Sequence, residues 1–321
     1  MIVTVTPNPS VDRTVGLPTT LTRGAVHRIT TVSSEPGGKG VNVARALTLA
    51  GLDALAVLPA PPGDPFVTAL AAAGVPFATV PVTTAVRTNL TITESDGTTT
   101  KLNEPGAALD AASLAALTDT VVRRAAGAGW VVLSGSLPPG APEHWYADVV
   151  AALRTVGCRV AVDTSDAPLL ALAERFGDAA PDLIKPNSDE LASLAGRSAA
   201  ELEDDPDAVV AAARSLVDRG VGAVLATLGS AGAVLVDAQG AWLATPPPVT
   251  VRSTVGAGDS ALAGYVRADV AGADAPRRLQ MAVAYGSAAA ALPGSALPSP
   301  ADLDLPGVHV VSMIPKTPNL L

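Results

Sequence analysis

The sequence predicts an α/β fold in which a mostly parallel sheet carries helices on both faces and a small second sheet covers its ligand edge. Three observations predict it. Short β-rich runs alternate with Ala/Leu-rich helical segments, most regularly from about residue 106 onward. Two segments, 11–32 and 87–103, break that alternation with polar, threonine-rich, short-period sequence. Loops rich in hydroxyls and breakers end several predicted strands, where open α/β sheets bind their ligands.

In chain order, Ile2–Thr6 is an apolar β-branched run and reads as the first strand. After segment 11–32, a glycine cluster opens a predicted helix over Gly40–Ala50, then a strand over Ala54–Leu58 and a helix over Pro65–Ala73 begun by a proline. Arg87–Thr93 and Thr98–Asn103 alternate like antiparallel strands with one wet face, and they are able to meet segment 11–32 as one small sheet. Helices are then expected over Ala111–Ala125, Pro142–Val156, Asp207–Asp218, Gly258–Asp269 and Pro276–Ala290. Strands are expected over Trp130–Leu133, Arg159–Val162, Leu183–Ile184, Ala223–Leu228, Ala233–Val236 and Val249–Val251.

Composition narrows the function. With 48% apolar and 16% charged residues over 321 positions, the chain buries a large core, and disorder is excluded. Aromatics are only 3%, too few for base-stacking platforms, and a net charge of −9 opposes a phosphate backbone, so nucleic acid is not an expected partner. Cys158 is the one cysteine, which excludes an internal disulfide and a cysteine-built zinc site and suits a reducing, cytoplasmic setting. The opening Met1–Thr6 lacks the basic and long apolar regions of a secretion signal. The uncharged stretches 65–86 and 279–301 are broken by prolines and glycines, so no membrane span is expected. Four lysines stand against seventeen arginines, and Lys39, Lys101 and Lys185 all fall in the motifs below.

Thr254-Val255-Gly256-Ala257-Gly258-Asp259-Ser260 follows a predicted strand and opens a helix. Small residues at a helix start leave backbone N–H groups free for an anion. Asp259 beside such an anion hole is able to take a proton from a substrate hydroxyl; as an ordinary helix cap it would do nothing chemical. The spacing Gly256, Gly258, Ala261 also fits a dinucleotide fingerprint, but that places a carboxylate where a pyrophosphate should lie. In Glu35-Pro36-Gly37-Gly38-Lys39-Gly40-Val41-Asn42, glycine N–H groups and Asn42 suit hydroxyls and Lys39 suits a phosphate, though a plain glycine turn would look the same. Asn187 and Glu190 share the first turn of a helix after Lys185; they suit Mg²⁺ through its waters, or a capping box. Thr227–Gly232 joins two strands as a turn, and Ser134-Gly135-Ser136-Leu137-Pro138-Pro139-Gly140 ends another strand. His27, His144 and His309 lack metal spacing, and no G-x-S-x-G elbow occurs.

In this order, these motifs resemble the ribokinase-type (PfkB) carbohydrate kinases, over nearly the whole chain from Thr6 to about Gly294. Gly37–Ala44 and Thr254–Ser260 are the most specific blocks, and Asn8-Pro9-Ser10-Val11-Asp12, Lys101–Gly106 and Ser134–Gly140 resemble the branch acting on sugar phosphates. The resemblance implies a Rossmann-like, ribokinase-like core over 1–10, 33–86 and 104–310, a β-lid over 11–32 and 87–103, and a tail over 311–321 outside the likeness. It implies ATP with Mg²⁺, a ketose phosphate acceptor (fructose 1-phosphate first, tagatose 6-phosphate or fructose 6-phosphate as alternatives), and a homodimer through the lid. By motif position Asp259 is the general base and Gly256, Ala257 and Gly258 the anion hole. Asp12, Arg28, Gly37, Gly38, Lys39, Asn42, Arg87, Lys101, Asn103 and Ser136 become sugar-phosphate contacts. Lys185, Asn187, Glu190, Thr227, Gly229, Ser230, Gly232, Gly258 and Ser287 take the nucleotide, with Asn187 and Glu190 on Mg²⁺. A K⁺ site is implied beside Ser253 and Val255, with Ser253 standing where many members carry Asp or Asn.

Overall fold

The computed structural model describes residues 1–202 and 205–313, and in them the chain pairs into two sheets. The strands are β1 (Ile2–Val5), β2 (Ser10–Gly16), β3 (Thr31–Gly37), β4 (Ala54–Pro59), β5 (Phe77–Val80), β6 (Arg87–Thr93), β7 (Thr99–Asn103), β8 (Trp130–Ser134), β9 (Arg159–Asp163), β10 (Leu183–Ile184), β11 (Ala223–Thr227), β12 (Ala233–Asp237), β13 (Gly240–Thr245) and β14 (His309–Ser312). The helices are α1 (Lys39–Leu49), α2 (Pro65–Ala72), α3 (Ala111–Ala125), α4 (Trp145–Leu153), α5 (Asp166–Glu174), α6 (Phe176–Ala179), α7 (Ser188–Ala195), α8 (Pro206–Asp218), α9 (Ala257–Val270) and α10 (Ala275–Ala291).

The large sheet runs β14-β13-β12-β11-β10-β9-β8-β1-β4-β5. From β11 to β5 every pairing is parallel; β12, β13 and β14 add an antiparallel margin. Strand order reverses between β1 and β8, the point where such sheets open a crevice at their carboxyl ends. Both faces are covered, which explains why the parallel strands read as unbroken apolar runs. Val131 and Leu133 of β8 belong to the core shared with α3, α4 and α8, while Trp130 and Val132 belong to the core of the other face, shared with α1, α9 and α10.

The small sheet runs β3-β2-β6-β7, and its register gives it two unlike faces. Asp12 pairs with Asn89 and Asn89 with Asn103, so the three stand in one row; Thr14, Thr91 and Lys101 form the next row on the same face. The alternate positions Val15, Leu90, Ile92 and Leu102 stand on the opposite face.

Three expectations need correction. Val249–Val251 is not a strand: Pro246-Pro247-Pro248 lack donors and the edge of β13 is already taken by β14. Within 11–32 only Val11–Gly16 and Thr31–Val32 pair, residues 17–30 form a largely exposed loop, and β3 runs on to Gly37, so residues 33–37, expected in the core, belong to the small sheet. Val311 and Ser312, expected in a tail, extend the large sheet opposite Leu243 and Trp242, while residues 314–321 lie outside the described residues.

Candidate active site

The functional side chains gather where strands end and two helices begin. β8 ends at Ser134, β9 at Asp163 and β11 at Thr227, and Lys185 follows β10 directly. Gly38, at φ 102°, starts α1 with no side-chain cap. A side chain at Gly40 would come within 2.6 Å of the Val5 carbonyl oxygen, so only glycine lets α1 sit on the end of β1. Gly256 starts α9 in the left-handed region at φ 75°, again with no side-chain cap. The Ala257 N–H leans on the Thr254 carbonyl at 3.4 Å and that of Ser260 on the Gly256 carbonyl at 2.8 Å. Among the described residues the N–H groups of Gly258 and Asp259 between them meet no acceptor, which is the arrangement an anion hole needs.

Asp259 does not cap its helix. Its carboxylate turns inward, 7% exposed, and Oδ2 accepts a hydrogen bond from Asn42 Nδ2 at 2.8 Å across from α1. Nearby stands Asp163, which sequence reasoning missed. It is 1% exposed; Oδ1 accepts from Lys39 Nζ at 2.9 Å and Oδ2 lies 3.2 Å from Lys185 Nζ. Lys185 Nζ in turn lies 3.2 Å from where a Cβ on Gly258 would stand, so its ammonium flanks the start of α9.

The charges shift one another. Burial, and then the neighbouring charge of Asp163, push the Asp259 carboxyl up to about 6; Asn42, Lys39 and Lys185 offset this only in part. Burial pushes the Asp163 carboxyl up as well, but Lys185 and Lys39 outweigh it and hold the group below the usual carboxylate range. For Lys39 burial favours the neutral amine, yet the charges of Asp163 and Asp259 overcome it and keep the ammonium.

On one side lie the residues expected to meet the nucleotide. Asn187 and Thr227 form a parallel bridge, bringing two distant motifs together. Asn187 and Glu190 form a full capping box, each side chain taking the other's N–H at 2.8 Å, so the structural alternative holds as geometry. One Glu190 carboxylate oxygen remains uncommitted, and burial raises that carboxyl. A single carboxylate of this kind fits Mg²⁺, which keeps its waters and leans on substrate phosphates. Gly229, Ser230 and Gly232 shape the tight β11–β12 turn, where Leu228 N–H donates to the Gly232 carbonyl at 2.8 Å. Ser287 of α10 donates its hydroxyl to the Val283 carbonyl at 2.8 Å. The loop 253–255 offers no carboxylate to a monovalent cation; Ser253 Oγ accepts from Val255 N–H at 3.2 Å.

On the other side lies the small sheet. Asp12 presses against Gly37, where any side chain would collide with it, and Oδ1 accepts from Ser10 Oγ at 2.8 Å and Asn89 Nδ2 at 3.1 Å. Burial raises the Asp12 carboxyl. Arg87 donates to the Glu104 carbonyl at 2.8 Å and the Asn8 carbonyl at 3.4 Å, while Asn8 Nδ2 reaches Ser136 Oγ at 3.4 Å. Lys101, Asn103 and Arg28 are exposed and, among the described residues, make no side-chain hydrogen bond to another member of the group, Asn103 meeting Asn89 only as its ladder partner. Asn8, Asn89 and Glu104 join the set without having been singled out as contacts. Asp163 carried one legible signal, an acid closing the apolar strand Arg159-Val160-Ala161-Val162-Asp163.

The family described as pfkB family carbohydrate kinase matches residues 6–302. A 1-phosphofructokinase of Rhodobacter capsulatus is 40% identical over 304 residues, 93% of each chain. The ATP-dependent 6-phosphofructokinase isozyme 2 of Escherichia coli (strain K12) is 36% identical over 300 residues, 92% of this chain and 94% of that one. The solved phosphofructokinase-2 from Escherichia coli in complex with substrates and products superposes with a TM-score of 0.86 at 35% identity, covering 94% of this chain and 96% of that one, and the same protein has been solved in complex with potassium.

Proposed function

The chain belongs to the pfkB family of carbohydrate kinases, and we propose that this ATP-dependent sugar-phosphate kinase takes fructose 1-phosphate as its preferred acceptor and phosphorylates the 6-hydroxyl to give fructose 1,6-bisphosphate. One observation carries the chemistry: the buried Asp259 carboxylate at the open start of α9, flanked by two ammonium groups. In this reading the acceptor hydroxyl gives its proton to Asp259 while its oxygen attacks the γ-phosphorus of ATP, and the bond to the β-phosphate oxygen breaks. The free N–H groups of Gly258 and Asp259 hold the moving phosphoryl group, and Lys39 and Lys185 balance its charge. Asn42 keeps one carboxylate oxygen in place, leaving Oδ1 for the proton. Mg²⁺ carried with the ATP phosphates would be held through water by Glu190, beside Asn187, and supplies charge neutralisation there. A K⁺ beside Ser253 and Val255 would rest on neutral oxygens alone.

The polar face of the small sheet, with Asp12, Arg87, Lys101 and Asn103, is read as the lid surface that holds the acceptor and its phosphate, with Arg28 in the adjoining loop. The opposite face is mixed: Val15, Leu90, Ile92 and Leu102 stand beside Arg13 and Thr88 along a groove of about 640 Å³, Leu102 being 55% exposed, and its apolar part supports a homodimer joined through the lids.

Preference for fructose 1-phosphate rests on the 40% identity with a protein of that name. The 36% identity with a 6-phosphofructokinase favours a second reading, in which fructose 6-phosphate or tagatose 6-phosphate enters turned end for end and reacts at C1. Rates with Mg-ATP and each phosphosugar, plus free fructose, decide between them. Fructose 1-phosphate is expected to lead in kcat/KM by at least ~10-fold, about 1.4 kcal/mol of transition-state discrimination. A smaller lead overturns the preference, and reaction with free fructose alone overturns the phosphate-binding lid.

A further inference from the structure

Asp163 takes no part in the bond-making steps, yet its placement is unusual. It closes β9 with 1% of its surface exposed, a burial that a carboxylate rarely tolerates without partners. Its partners are the two lysines of the site, Lys39 at 2.9 Å on Oδ1 and Lys185 at 3.2 Å on Oδ2. Those lysines come from the starts of different units, α1 and the segment after β10, and no other acid in the described structure forms an ion pair with either. The backbone just beyond is strained: Asp166, at φ 56°, is the one non-glycine residue at positive φ among the described residues. Strain of that kind persists only where surrounding structure enforces it, and here it lies three residues from the shared carboxylate.

We propose that Asp163 is a positioning residue for phosphoryl transfer, clamping the Lys39 and Lys185 ammonium groups on either side of one buried carboxylate so that both face the start of α9. The inference rests on the reading of Asp259 as base. Two flexible side chains of like charge would otherwise separate by rotation, since each stem carries several free torsions. The shared carboxylate removes that freedom before substrate arrives, which is the preorganisation that electrostatic catalysis requires. It has a second effect on the base itself. Asp259 is faced by Asn42 and Lys39 from α1, by Asp163 from β9 and by Lys185 from beyond β10, with Glu190 of α7 acting on Lys39. Of these, Asp163 is the acid whose charge opposes ionisation of Asp259.

The test is Asp163→Asn, compared with wild type and with Asp259→Asn. Asparagine keeps the shape but no longer clamps two cations. kcat is expected to fall about 10²-fold, the usual cost of a reacting or charge-balancing group displaced by about 1 Å, with KM for the sugar phosphate little changed. The acid limb of the pH–rate profile is expected to move to lower pH, because removing a neighbouring negative charge eases ionisation of Asp259. A merely structural role would lower the melting temperature and the active fraction without moving that limb. Thermal unfolding and sugar-phosphate binding by calorimetry identify a variant that fails to fold; for that case Asp163→Ser is the second variant, with the same two readouts. A folded variant with wild-type kcat, or with an unmoved acid limb, overturns the clamp. If that happens while Asp259→Asn is inactive, the base assignment stands and only Asp163 is misassigned. If Asp259→Asn is itself active, the reading beneath the inference fails.

Discussion

Replacing Asp259 with asparagine is expected to stabilise the fold at alkaline pH even as it removes the base. The carboxyl moves from an ordinary 3.8 to about 6 on folding. A shift of about two units corresponds to about 3 kcal/mol between protonation states. The sign follows from the direction: a raised carboxyl binds its proton more tightly when folded, so its contribution is present below pH 4 and is lost as pH rises through 6. Asparagine is neutral throughout and escapes that loss. The stability gap between variant and wild type is therefore expected to widen by about 1.4 kcal/mol between pH 5 and pH 8, towards a ceiling of about 3 kcal/mol. Urea titrations of both proteins at the two pH values measure it. A gap that stays constant, or that narrows towards pH 8, refutes the argument that Asp259 is held charged at a cost to the fold.

Two further outcomes follow from the geometry. Gly258→Ala puts a methyl 3.2 Å from Lys185 Nζ in the first turn of a helix that favours alanine; kcat is expected to drop about 10²-fold while the melting temperature holds or rises, and simultaneous loss of both would point to misfolding instead. Ile92→Asp, in the apolar part of the small sheet's groove, is expected to give a monomer by sedimentation at micromolar concentration; an unchanged sedimentation coefficient, whether dimeric or already monomeric in wild type, removes the lid-to-lid interface.

What was legible in the sequence depended on how local its cause was. Six of the seven parallel strands, β1, β4, β8, β9, β10 and β11, announce themselves because strands buried on both faces must be apolar throughout, as in Val131-Val132-Leu133. β13 does not, since Gly240-Ala241-Trp242-Leu243-Ala244-Thr245 has little β preference and is held by its hairpin with β12. β5 hides behind Pro76 in an alanine-rich stretch, and β14 exists only because β13 offers an edge. The same divide runs through the site. Glycine-rich helix starts are local patterns, so α1 and α9 could be placed with their lysine and aspartate. The clamp of Asp163 on Lys39 joins residues 124 apart, and the Asn42–Asp259 bond joins residues 217 apart, distances no spacing rule spans. Asn187 and Glu190 show the converse, since one spacing serves a capping box and still leaves one Glu190 carboxylate oxygen uncommitted.

The proposed mechanism turns on a proton passing from the acceptor hydroxyl to Asp259, and steady-state kinetics of Asp259→Asn with fructose 1-phosphate and Mg-ATP examine that step. A fall in kcat of ~10²–10⁴-fold, with both KM values within a few-fold of wild type, is the expected result. A variant that turns over at close to the wild-type kcat would contradict the assignment of the base and with it the mechanism.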